Sequence, residues 1–154
     1  MTKPVSRAGP RLLTVLAVDD EAPALDELAY LLYRHPDIAE VIRAGDATSA
    51  LRELNARRID AVFLDINMPG MNGLEVLREI KACAVMQQIP VIMLTSSSAD
   101  RDLDAAYRIG ANSYVVKPMS LSGLQEAALK IEGFWLSLAT PPPRRSTVRK
   151  YDPR

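Results

Sequence analysis

The chain has 154 residues, with 19 Lys and Arg against 19 Asp and Glu, so its formal net charge is zero. That length suits one domain, and a content of 48% hydrophobic and 25% charged residues is that of a globular chain rather than a disordered one. Neutrality excludes a globally basic surface for nucleic acid or an anionic membrane, and the lone Cys83 excludes an internal disulfide or a cysteine-based metal site.

The first eleven residues, MTKPVSRAGPR, lack the apolar run of a secretory signal. No stretch approaches the roughly 20 apolar residues of a membrane helix. The expectation is therefore a cytoplasmic protein with no membrane partner.

In chain order, short apolar runs at 12–18, 39–44, 59–64, 90–94 and 113–116 predict buried strands. Between them lie stripes with helical spacing. Leu25, Leu28 and Leu32 form the first, and Ala47, Ala50, Leu51 and Leu54 the second. Leu74, Leu77 and Ile80 form the third, and Leu103, Ala105 and Ala106 a shorter fourth. The longest runs through Leu121, Leu124, Ala128, Ile131, Trp135 and Leu138. Such alternation predicts an α/β fold, a doubly wound parallel sheet with helices on both faces. Asp20 is expected to cap the first helix, with Pro23 in its first turn. The segment 68–73, MPGMNG, has turn chemistry, and Pro141 to Pro143 close the fold. The domain is expected over 12–138, between a basic segment at 1–11 and a Pro-rich, then basic, tail at 139–154.

In open α/β sheets ligands bind beyond the carboxyl ends of the strands. The first strand ends in Asp19 and Asp20, the third in Asp65, the fourth in Thr95 and the fifth in Lys117. Each alone reads as a cap, a turn residue or a surface charge. Together they place three carboxylates, a hydroxyl and an ammonium group on one edge. Clustered carboxylates call for a cation, and all-oxygen ligands favour Mg²⁺. A carboxylate beside Mg²⁺ can attack phosphorus and form an aspartyl phosphate. Lys117 can neutralise phosphoryl charge and Thr95 can hydrogen-bond a phosphoryl oxygen.

These residues lie within VDDE at 18–21, FLDINMPGMNG at 63–73, LTSSS at 94–98 and NSYVVKP at 112–118. In that order and spacing, 12–138 resembles the response-regulator receiver domain of two-component signalling. The resemblance implies a five-stranded, flavodoxin-like sheet of order 2-1-3-4-5. It implies that Asp65 accepts phosphate from a sensor histidine kinase. It assigns Mg²⁺ to Asp19, Asp20, Asp65 and the Asn67 backbone carbonyl, and it makes Thr95 and Tyr114 the switch pair. Lys117 is implied to contact the phosphoryl group, and the Lys117–Pro118 bond to be cis. The only chemistry implied is self-phosphorylation and self-dephosphorylation, not that of an enzyme acting on a separate substrate.

At finer grain, the first half, with DDEAPALDELAYLL, resembles receivers of LytTR-type regulators. The stretches IPVIMLTSSSADRD, GANSYVVKP and IEGFWLSLATPPP resemble stand-alone receivers of bacterial phytochrome kinases. About sixteen residues follow Leu138, too few for a DNA-binding domain, so the expected output is a changed surface on the fourth helix, fifth strand and fifth helix. A homodimer through that face is expected, with Phe134 and Trp135 as interface candidates beside a plain core reading. A fragment of a DNA-binding regulator is the alternative. A haloacid-dehalogenase-type hydrolase would need Asp where Asn67 stands, and no basic recognition helix is evident for direct nucleic-acid contact. His35 reads as a helix-end residue and Arg57-Arg58 as a helix C-terminal cap. Neutrality itself divides: 1–11 carries +3, 144–154 carries +4 and 12–143 carries −7.

Overall fold

The computed structural model describes residues 12–95 and 100–117. Within them the chain alternates strand and helix. The elements are β1 (Leu13–Val18), α1 (Ala22–Tyr33), β2 (Ile38–Ala44), α2 (Ala47–Ala56), β3 (Ala61–Asp65), α3 (Gly73–Ala82), β4 (Val91–Thr95), α4 (Asp100–Ile109) and β5 (Ser113–Val116). The strands form one parallel sheet of order β2-β1-β3-β4-β5. This is the expected doubly wound arrangement, and the five strand positions agree with the apolar runs to within two residues.

Strand side chains alternate between faces, so one apolar run feeds two cores. Leu16, Val18, Val62, Leu64, Val91 and Met93 pack with α2, α3 and Ala106 of α4. Val15, Ala17, Ala61, Phe63, Ile92 and Leu94 face Leu25, Leu28 and Leu32 of α1. The predicted stripes of α1 and α2 are both buried. Among the described residues no helix is long and apolar enough to cross a membrane.

Two local expectations change. Asp20 does not cap α1. Glu21 is the N-cap residue, with no side-chain cap bond, and the first helical bond runs from Leu25 N to Glu21 O at 2.9 Å. Pro23 in the first turn removes one N–H that a cap would otherwise satisfy. In α3 the buried face is Gly73, Val76, Leu77 and Ile80, and Leu74 is only half-buried. Gly73 is buried at the helix start, and Leu74 packs against the core from its margin.

Charges away from the site are paired locally. Arg57 is the C-cap residue of α2 and contacts Glu40 at 2.9 Å and Glu53 at 3.1 Å. His35 follows α1, with its N–H on Leu32 O and its Nδ1 accepting from Asp37 N at 3.2 Å. Lys81 donates to the carbonyls of Gln87 and Ile89, and its burial lowers its pKa. The fifth helical stripe, Phe134, Trp135, Pro118, the Ser96–Ser98 loop and both terminal segments lie outside the described residues.

Candidate functional site

Parallel register builds the site. Val18 pairs with Leu64, so the next residues, Asp19 and Asp65, emerge side by side from adjacent strands. Asp65 pairs with Leu94, and Thr95 pairs with Val116, which places Thr95 and Lys117 on the same edge. Lys117 N donates to Thr95 O at 2.7 Å, tying the last two strand ends together. Every strand that was expected to contribute does so.

Carboxylate oxygens of Asp19, Asp20 and Asp65 lie within 4.8 Å of one another. Asp19 and Asp65 are buried, at 0% and 3% exposure, while Asp20 faces solvent. Lys117 Nζ lies 2.5 Å from Asp19 Oδ2 and 3.4 Å from Asp65 Oδ1. Asp19 Oδ1 accepts from Glu21 N at 3.0 Å, so both its oxygens are oriented. Thr95 is fully buried and Tyr114, on β5, is half-buried.

Among the described residues the electrostatics are unbalanced, with three carboxylates to one ammonium. At such separations each like-charge pair repels by about 3 to 4 kcal/mol at an effective dielectric near 20. Burial pushes the Asp65 carboxyl up from 3.8 to about 6. Lys117 opposes that rise, the Asp19 charge adds to it, and the Asn67 N–H opposes it further. Burial alone would lower the Lys117 pKa, but its hydrogen bond to Asp19 and the charges of Asp65 and Asp19 outweigh burial and raise it. A hard divalent cation suits this donor set, because every side-chain donor is an oxygen and two of the three are already buried.

The loop after β3 shapes the floor. Asp65 Oδ1 accepts from Asn67 N at 3.3 Å, and Met68 is buried in the core. Asn72 caps α3, its side chain accepting from Glu75 N at 3.0 Å. The two glycines of the turn serve different needs. Gly70 has φ +77°, a left-handed conformation that favours glycine. Gly73 is needed for space: a Cβ there would stand 2.0 Å from the Asp65 carbonyl oxygen. Turn composition alone does not reveal that second role.

The family model described as "Response regulator receiver domain" matches residues 15–129. The sensory transduction protein RegX3 of Mycolicibacterium smegmatis is 38% identical over 109 residues, 71% of this chain and 46% of that protein. The chain thus spans about half the length of the curated relatives it matches. Among solved structures, the Vibrio cholerae chemotaxis response regulator CheY4 superposes with a TM-score of 0.72 at 27% identity, covering 78% of this chain and 98% of that one. The phosphorylated cyanobacterial phytochrome response regulator RcpA gives 0.69 at 33% identity, covering 86% and 99%.

Proposed function

The chain belongs to the response regulator receiver domain family of two-component signalling, and from that premise we propose that it is switched by phosphorylation of Asp65. The observation that carries this reading is the convergence of Asp19, Asp20 and Asp65 on one strand edge, with Lys117 within 3.4 Å of Asp65. The RcpA structure, described as phosphorylated, adds support from a relative. The receiver unit is taken to run over 12–138.

In the proposed reaction the Asp65 carboxylate attacks the phosphorus of a phosphohistidine on a sensor kinase. A P–O bond forms as the P–N bond breaks, and the departing imidazole keeps the electron pair and takes a proton from solvent. Lys117 places its positive charge beside the incoming phosphoryl oxygens, and the Thr95 hydroxyl is the donor to one of them. Asp19, Asp20, Asp65 and the Asn67 carbonyl would hold Mg²⁺, which supplies further positive charge for the transferred group when bound. Because Asp65 must be ionised to attack, its pKa near 6 makes the rate fall as pH drops through that value in the absence of a divalent ion.

The signal then passes to the face made by α4, β5 and the fifth helix. In this reading the movement of Thr95 toward phosphate is coupled to Tyr114 on the adjacent strand, which pairs with Met93 two residues before Thr95. We assign the soluble cytoplasm as its compartment, a homodimer as the readout on that face, and a phytochrome-type kinase as one candidate donor. A second reading makes these residues the receiver portion of a longer regulator, and the half-length match to RegX3 favours it. The test common to both is acid-labile label uptake from acetyl phosphate with Mg²⁺. Wild type should be labelled and Asp65→Asn should take up none. Equal labelling of the two proteins would remove Asp65 from the role.

A further inference from the structure

We propose that Gly73 is a positioning residue for the Asp65 site, its bare Cα setting the peptide that carries the acceptor carboxylate. The inference rests on the phosphoryl reading above. An alanine Cβ at 73 would lie 2.0 Å from Asp65 O, 2.8 Å from Asp65 C and 2.8 Å from Ile66 Cα. All three are backbone atoms, so no side chain can rotate away to make room. Among the described glycines Gly70 and Gly110 have positive φ and Gly73 does not, so the demand is for space and not for conformation.

The contact is held from both sides. Gly73 N donates to Ile66 O at 2.9 Å, and Ile66 N donates to Leu94 O at 2.9 Å. The first turn of α3, the 65–66 peptide and β4 are thereby locked into one stack. The peptide in the middle of that stack aims the Asp65 side chain at Lys117 and leads directly to Asn67, whose N–H meets Asp65 Oδ1. A side chain at 73 must open the stack by about 1 Å to reach a permitted contact. Either α3 lifts or the 65–66 peptide tilts, and the tilt moves the carboxylate relative to Asp19 and Asp20. A displacement of that size in a reacting group costs on the order of a hundredfold in rate.

Three variants separate positioning from plain stability. Gly73→Ala crowds Asp65. Gly45→Ala adds a methyl where nothing lies within 4 Å. Asp46→Ala removes the side-chain cap of α2, a helix outside that stack. Each is measured for folded fraction by circular dichroism, for Mg²⁺ affinity by calorimetry, and for labelling rate from acetyl phosphate at saturating Mg²⁺, beside wild type and Asp65→Asn.

The expected result for Gly73→Ala is a Mg²⁺ affinity at least tenfold weaker and a labelling rate about a hundredfold lower per folded molecule. Asp46→Ala should lose stability yet keep wild-type affinity and rate, and Gly45→Ala should change neither. Should Gly73→Ala melt early, the measurements are repeated in the cold with a stabilising osmolyte. Wild-type affinity and rate in folded Gly73→Ala would overturn the inference, as would a chain that fails to fold even with osmolyte, since Gly73 would then serve folding alone. A wild type that takes no label, or an Asp65→Asn that takes as much, would instead defeat the underlying reading.

Discussion

Both ends of the sheet bury aspartate, and they treat it in opposite ways. At the amino edge Asp60 is 9% exposed, its Oδ2 accepts from Thr14 N at 2.9 Å, and its Oδ1 lies 3.4 Å from Arg58. The acid meets a base and a backbone donor, and the charge closes a loop onto β1. At the carboxyl edge Asp19 and Asp65 are buried with Asp20 beside them, and among the described residues Lys117 pairs with the two buried ones. A buried charge with a local partner is scaffold. A surplus of buried like charge opposes folding and is explained by something the cluster binds.

That contrast can be broken in order of expected effect. Replacing Lys117 by Met should cost about 3 kcal/mol of stability in a chelator, because Asp19, wholly buried, loses its ion pair. Added Mg²⁺ should restore more stability to this variant than to wild type. Chemical denaturation with and without Mg²⁺ measures both.

Asp65→Asn should act in the other direction. The unfolded carboxyl loses its proton at 3.8 and the folded one at about 6, so the folded state binds protons more tightly between those values. Stability tied to this group is present below pH 3.8, falls through that window and stays lost above it. Removing the ionisable group should therefore stabilise the chain by about 3 kcal/mol at pH 8 without divalent ions, with the gain shrinking toward pH 5. Denaturation of both proteins at the two pH values checks the sign.

Asp60→Asn should have the smallest effect, a loss of about 1 kcal/mol, since the amide oxygen can still accept from Thr14 N. Its Mg²⁺ affinity should match wild type. An affinity loss there as large as one at Asp19 would erase the distinction between the two edges.

The fold was legible because its two strongest signals are periodic. Apolar runs too short for helices marked the strands, and the order of strand and helix left few topologies. The site was legible because parallel strands deliver their last residues to one edge, so Asp19, Asp65, Thr95 and Lys117 could be read from where each run ends. Contacts made by backbone atoms were not legible. The spacing of Leu74, Leu77 and Ile80 gives no hint that Gly73 lies against the Asp65 carbonyl or that Val76 is buried. Asp20 has the residue type of a cap, but Pro23 removes a donor from that turn and the helix starts on Glu21 without a side-chain cap bond. Nor does the sequence show that the Lys81 amine goes to two main-chain carbonyls.

The most direct test of the central claim is thermal unfolding with Mg²⁺ and beryllofluoride, a phosphoryl mimic, added separately and together. A ligand that binds only the folded state at a hundredfold its dissociation constant adds about 2.7 kcal/mol. The wild-type midpoint should rise modestly with Mg²⁺ and by several degrees more with both, while Asp65→Asn should show no beryllofluoride increment. A wild-type midpoint unmoved by the pair, or an equal increment in Asp65→Asn, would contradict the assignment of this edge as a phosphoryl and metal site.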